Sequence, residues 1–139
     1  MKAYQSGVWL DGTEAFVLHF TDEGRHCVHL KSGITHHQRF EGEGKSFTRM
    51  GDVYIDPEKT EENRRDHEAT AFYKRIEKEL MDSDQFVIFG PAEMKTGLAK
   101  AIHENRELSP KLREVKTAEK MSENQMFAWT AEFFKVHAD

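Results

Sequence analysis

Residues 86–101, Phe-Val-Ile-Phe-Gly-Pro-Ala-Glu-Met-Lys-Thr-Gly-Leu-Ala-Lys-Ala, constrain the fold more than any other stretch of the chain. Phe86 to Phe89 make an unbroken apolar run closed by Gly90-Pro91. Such a run, stopped by a breaker, is the pattern of a strand buried on both faces. Helical spacing follows at once, with Met94, Leu98 and Ala101 or Ile102 on one stripe. A strand, a Gly-Pro turn and a helix in succession predict an α/β sheet, with the turn at its ligand-facing end.

The remaining elements can be placed around this unit. Residues 3–10, 14–20 and 25–31 read as three strands, the first two joined by the hairpin signal Asp11-Gly12 and the next pair by Asp22-Glu23-Gly24. Val8 and Leu10 alternate with more polar neighbours, whereas Ala15 to Leu18 is nearly continuous and predicts burial on both faces. A further strand is expected near 34–40, then a long glycine-punctuated loop at 41–56. Asp56-Pro57-Glu58 supplies an N-cap, a first-turn proline and a first-turn acid, so a helix is expected from there to about Met81. Its apolar stripe is Ala69, Phe72 or Tyr73, Ile76 and Leu80, while Glu58 to His67 have no apolar face and are expected to project from the body. A helix over 92–104, a break at Ser109-Pro110, a short strand at 112–116 and a last helix at 122–136 complete the order β-β-β-β-α-β-α-β-α.

Composition sets bounds on function. A chain of 139 residues suits one domain, 1–139, with a core that needs no staple. The net charge of −5 argues against a broadly nucleic-acid-binding surface, so RNA contact would require a local basic patch. The lone Cys27 excludes an internal disulfide and suits a reducing compartment. No apolar run reaches the roughly 18 residues of a membrane span, and the start of the chain lacks a signal-peptide core. A cytoplasmic protein with no membrane partner is the expectation.

Three stretches together resemble a known family. Val8-Trp9-Leu10-Asp11 followed by Glu14-Ala15-Phe16-Val17 resembles the opening hairpin of the central domain of archaeo-eukaryotic peptide-chain release factors. Gly90-Pro91-Ala92 with Lys95 resembles that domain's Gly-Pro-Ala-x-x-Lys element, and Glu123, Gln125, Ala128 and Phe134 resemble its last helix. The likeness spans roughly residues 5–135 and is closer still to short bacterial relatives of that domain, of the translational machinery protein type. It implies a mixed five-stranded sheet with flanking helices and ribonuclease H-like topology. In the release factors a Gly-Gly-Gln tripeptide, on the loop before the long helix, reaches the peptidyl-tRNA ester. Here that loop reads Glu41-Gly42-Glu43-Gly44-Lys45-Ser46-Phe47-Thr48-Arg49-Met50 and has no such tripeptide.

Other chemistry-bearing patterns resolve into simpler readings. Gly42 to Ser46 lacks the upstream glycine of a phosphate-binding loop, where Arg39 stands instead. His26 and His29 fall on opposite faces of a strand, and His36 and His37 also diverge, so no metal site is expected, although His19 on a neighbouring strand could join one from each pair. Asp11 and Glu68 are the acids a metal-dependent nuclease of this topology would need, but Asp11 is accounted for by the hairpin turn. No cofactor is expected. Trp9 in a strand reads as core; Phe47 in a polar loop reads as a stacking residue.

The expectation is therefore a non-catalytic factor that binds the ribosome or tRNA. Lys45, Arg49, Arg64 and Arg65 would meet phosphate and Phe47 would stack on a base. Two alternatives are weighed beside it: a self-associating regulatory module, a homodimer built on Phe133 and Phe134, and a weak hydrolase of nucleic acid or peptidyl-tRNA using Gln125.

Overall fold

The computed structural model describes residues 2–34 and 57–136, with side chains from Asn63 onward in the second segment. Strands β1 (Ala3–Leu10), β2 (Glu14–Thr21) and β3 (Gly24–Lys31) come first. Helix α1 (Pro57–Leu80), strand β4 (Phe86–Gly90), helix α2 (Met94–His103), strand β5 (Leu112–Thr117) and helix α3 (Glu123–Val136) follow. The sheet order is β3-β2-β1-β4-β5. β1, β2 and β3 form an antiparallel meander; β1, β4 and β5 run parallel. This is the mixed five-stranded sheet with flanking helices expected from the sequence. Among the described residues the order is β-β-β-α-β-α-β-α. The expected strand at 34–40 lies, from residue 35 on, outside the described residues, as does the 41–56 loop; Ile34 itself is not in a strand.

The turns follow from side-chain chemistry. The Asp11 carboxylate accepts from the Thr13 amide (2.9 Å), the Thr13 hydroxyl (3.0 Å) and the Glu14 amide (3.0 Å), which closes the first hairpin. Thr21 closes the second by donating to the Gly24 carbonyl, and Gly24 has φ +122°, a conformation that favours glycine. At the end of β4, Gly90 is required sterically: a Cβ there would drive into the Leu10 carbonyl of the neighbouring strand.

Each sheet face buries its own apolar set. Val8, Leu10, Ala15, Val17, Phe86 and Ile88 pack beneath α1 and α2, which contribute Phe72, Ile76, Leu80, Leu98 and Ile102. Trp9, Leu18 and Phe89 pack beneath α3 with Met126 and Phe127, and Val87 packs there with Phe133 and Phe134. The alternation expected for β1 gives way to unbroken burial from Ser6 to Leu10, and Trp9 is core as its place in a strand suggested. Trp9 is as buried as Val8 and Leu10, because β1 is the middle strand and has a helical layer on both sides. Buried area of this kind stabilises at about 25 cal/mol per Å², so the rows under α1/α2 and under α3 are the main source of stability.

Helix ends are equally explicable. α3 begins with a reciprocal capping box: the Gln125 side-chain oxygen accepts from the Ser122 amide (2.9 Å), and the Ser122 hydroxyl accepts from the Gln125 amide (3.2 Å). α2 begins at Met94 rather than 92, with Glu93 in the N-cap position and its carbonyl accepting from Thr96 and Gly97.

Candidate functional site

The parallel register sets one edge of the sheet apart. β1 ends at Leu10, β4 at Gly90 and β5 at Thr117, so their carboxyl ends share an edge. β3, antiparallel to β2, ends there too at Lys31. In open α/β sheets this edge is where ligands are met. α1 is fastened to it. Arg75 donates through Nη2 to the carbonyls of Lys31 (2.6 Å) and Ser32 (3.1 Å) while its guanidinium lies 5.5 Å from the Phe72 ring centroid. At about 1.5 Å per residue, Arg64 stands about 16 Å further along the helix axis.

Arg64 and Arg65 are exposed there, within the run Asn63 to His67 that is solvent-facing throughout. Among the described side chains of α1 the first that is fully buried is Phe72. Arg64 and Arg65 therefore lie ahead of the buried stripe of α1; the side chains of Glu58 to Glu62, the rest of the stretch expected to project, lie outside the described residues. Lys45, Phe47 and Arg49 lie outside the described residues. Lys95, the lysine of the Gly-Pro-Ala-x-x-Lys element, folds back to donate to the Ala92 carbonyl (2.7 Å), a local bond across the turn that leads into α2.

The same edge carries a constellation that sequence patterning missed. Glu14 at the start of β2 accepts from His29 Nε2 through one oxygen (2.7 Å) and from Lys120 Nζ through the other. Lys120 holds Glu14 below the ordinary carboxylate range first, and His29 adds to this. The His29 ring stacks on Phe16, centroids 4.5 Å apart and 11° from parallel. Lys120 Nζ lies 5.1 Å from the Trp9 ring centroid and 5.7 Å from that of Phe16, within cation–π reach. Beneath it, the Trp9 indole nitrogen is buried with no hydrogen-bond partner. Glu14 and Lys120 are far apart in sequence and lie in no motif, so only the folded sheet brings them together.

Histidines on β2 and β3 divide between the two faces as their spacing requires. His26 faces His19, ring centroids 6.3 Å apart, and His29 faces Phe16. Among the described residues no group of three or more metal-ligating side chains converges. Two of the groups considered for hydrolysis are otherwise engaged, Asp11 in the hairpin turn and Gln125 in the α3 capping box. Phe133 and Phe134, weighed as a self-association surface in one of the alternatives, are buried against Val87; α3 uses its apolar stripe on the sheet. Among the described residues no helix is long and apolar enough to cross a membrane.

No known family and no curated protein matches the sequence. Solved structures do match the fold. The Pelota protein of Thermoplasma acidophilum superimposes with a TM-score of 0.52 at 16% identity, over 99% of this chain and 34% of that one. The archaeal translation termination factor aRF1 superimposes with a TM-score of 0.50 at 12% identity, over 96% of this chain and 40% of that one. The chain therefore spans between a third and two fifths of the length of these proteins and shares the fold of one part of each.

Proposed function

We propose that this chain is a non-catalytic factor of translation that meets ribosomal RNA or tRNA through the carboxyl edge of its sheet. The observation that carries the reading is the exposed Arg64-Arg65 pair on the part of α1 that extends past its buried stripe. Lys45 and Arg49 from the neighbouring glycine-rich segment join the pair on phosphate, and Phe47 stacks on an unpaired base. The fold shared with a translation termination factor supports this reading. The absence of Gly-Gly-Gln and the structural engagement of Gln125 and Asp11 favour binding over hydrolysis. A cytoplasmic location follows from such a role.

The test is sucrose-gradient fractionation of a lysate containing the tagged protein, at low and high salt. Phosphate contacts give comigration with ribosomal particles that weakens as salt rises, because counterions are released on binding. The double variants Lys45→Glu/Arg49→Glu and Arg64→Glu/Arg65→Glu should each move the protein to the top of the gradient. Protein confined to the top of the gradient at both salts overturns the reading.

A further inference from the structure

At the opposite edge of the sheet three buried polar side chains from three elements meet. Ser6 Oγ of β1 lies 2.7 Å from His19 Nδ1 of β2 and 2.6 Å from Ser83 Oγ in the turn between α1 and β4. Ser83 Oγ is 3.5 Å from the same ring nitrogen. Ser6 and Ser83 are fully buried and His19 is 8% exposed. The turn is tied to β1 by backbone as well: Ala3 donates to the Asp82 carbonyl (3.1 Å), Asp84 to the Ala3 carbonyl (2.9 Å) and Ser6 to the Gln85 carbonyl (2.9 Å). The site proposed for RNA contact uses none of these groups.

The donors and acceptors of this triangle can be counted. With His19 neutral and Nδ1 unprotonated, Ser83 donates to Ser6 and Ser6 donates to Nδ1, so each hydroxyl hydrogen has an acceptor. A proton on Nδ1 turns that nitrogen into a donor. Ser6 must then accept from His19, and one hydroxyl hydrogen of the Ser6–Ser83 pair, whichever way that bond runs, is left to find a new acceptor in a buried turn. An unsatisfied buried donor is costly, so the neutral ring is the one this packing fits. The charged groups around the ring act in different directions: His26 from β3 and the α-amino group oppose a second positive charge, and Asp82 from the turn favours it. Burial is the largest influence and keeps His19 below the ordinary histidine value.

We propose that Ser6, His19 and Ser83 form a proton-reversible clamp, in which protonation of His19 reverses the hydrogen-bond chain and frees the Asp82–Gln85 turn from β1. Mild acid would thereby loosen the end of α1 opposite to Arg64 and Arg65. The clamp does not depend on the RNA reading, and it can be tested on the isolated protein.

The experiment is residue-resolved amide hydrogen exchange from about pH 7.5 to about pH 5.5, corrected for intrinsic rates, with His19 and His26 ring titrations followed by NMR. One proton taken up on opening can weaken protection by up to about tenfold per pH unit. The Ala3, Ser6 and Asp84 amides should lose protection in that manner while Ile88 keeps its own, with a midpoint that follows the His19 ring. In His19→Gln the dependence should vanish, and in His26→Gln it should persist. Protection that is flat with pH in the native protein overturns the clamp. So does a midpoint that follows His26, which remains readable in the native protein if His19→Gln fails to fold.

Discussion

Gly7 of β1 passes beneath Thr130 of α3 with no room for a side chain. A Cβ on Gly7 would fall inside the Thr130 hydroxyl and 2.8 Å from its methyl carbon, and Thr130 is fixed by its own bond to the Met126 carbonyl (2.9 Å). Gly7→Ala should therefore lift α3 from the sheet. The expected cost is about 1–3 kcal/mol, the range for overpacking a filled core. Urea denaturation with Trp129 fluorescence checks it; an unchanged midpoint would show that α3 sits more loosely than described.

The capping box of α3 makes a second prediction. Ser122→Ala should lower stability by about 0.5–2 kcal/mol, the usual range for a lost N-cap. Gln125→Ala should act in the same direction and by less: each variant removes one of the two reciprocal bonds, but the Ser122 hydroxyl serves an amide of the first helical turn and the Gln125 side chain serves the amide ahead of it. Both are read from thermal melts. A Gln125 variant that keeps full stability would show that this side chain is not spent on the cap.

Glu14 makes the acid response of the carboxyl edge calculable in sign. Its folded carboxyl titrates below the unfolded value of 4.5, chiefly through Lys120 and then His29. The unfolded state thus binds more protons in that window. The stability Glu14 contributes is fully present above about pH 4.5 and is lost as pH falls through the folded value. Lys120→Met should flatten this part of the stability–pH curve measured by chemical denaturation, and should reduce its salt sensitivity.

Cys27 should be a poor nucleophile in the native protein. Burial, and then the negative charge of Glu123, push its thiol up to about 12. At neutral pH almost no thiolate is present, and the thiolate is the reactive form. Modification by a thiol reagent should be slow in buffer and fast in denaturant. Glu123→Gln should accelerate the native reaction.

Arg64→Glu/Arg65→Glu should separate binding from folding. Both side chains are exposed, so the melting curve should shift by no more than about 0.5 kcal/mol. Ribosome comigration, where the native chain shows it, should fall in the same variant. A variant that loses both would implicate the pair in holding α1 in place.

Secondary structure and fold class were legible because each element carries its own period or breaker. Phe86 to Phe89 with Gly90-Pro91 marks β4 to the residue before its end. Phe72, Ile76 and Leu80 mark the buried face of α1. Where sequence reasoning fell short, the missing information was non-local. The unbroken burial of β1 from Ser6 to Leu10 depends on β1 lying in the middle of the sheet, which its own residues do not state. Ser122-x-x-Gln125 is a readable cap, yet Gln125 drew attention for its chemistry. Ser6, His19 and Ser83, like Glu14 and Lys120, are ordinary residues until the topology brings them within bonding distance. Phe133 and Phe134 suggested a surface because one helix cannot show which of its faces has the sheet beneath it.

The place of β1 in the sheet also bears on how the chain is made. On one side β1 pairs with β2, its immediate successor, so the meander can form as soon as it leaves the exit tunnel. On the other side Val8 pairs with Ile88 and Trp9 with Phe89. Until those later residues have been synthesised, the growing polypeptide carries a three-stranded ribbon with an open apolar border and with the face that α3 later covers still bare. Such a border invites pairing with a neighbouring nascent chain. The interval before β4 arrives is therefore the period of greatest aggregation risk, and slow translation between the meander and Phe86 would lengthen it.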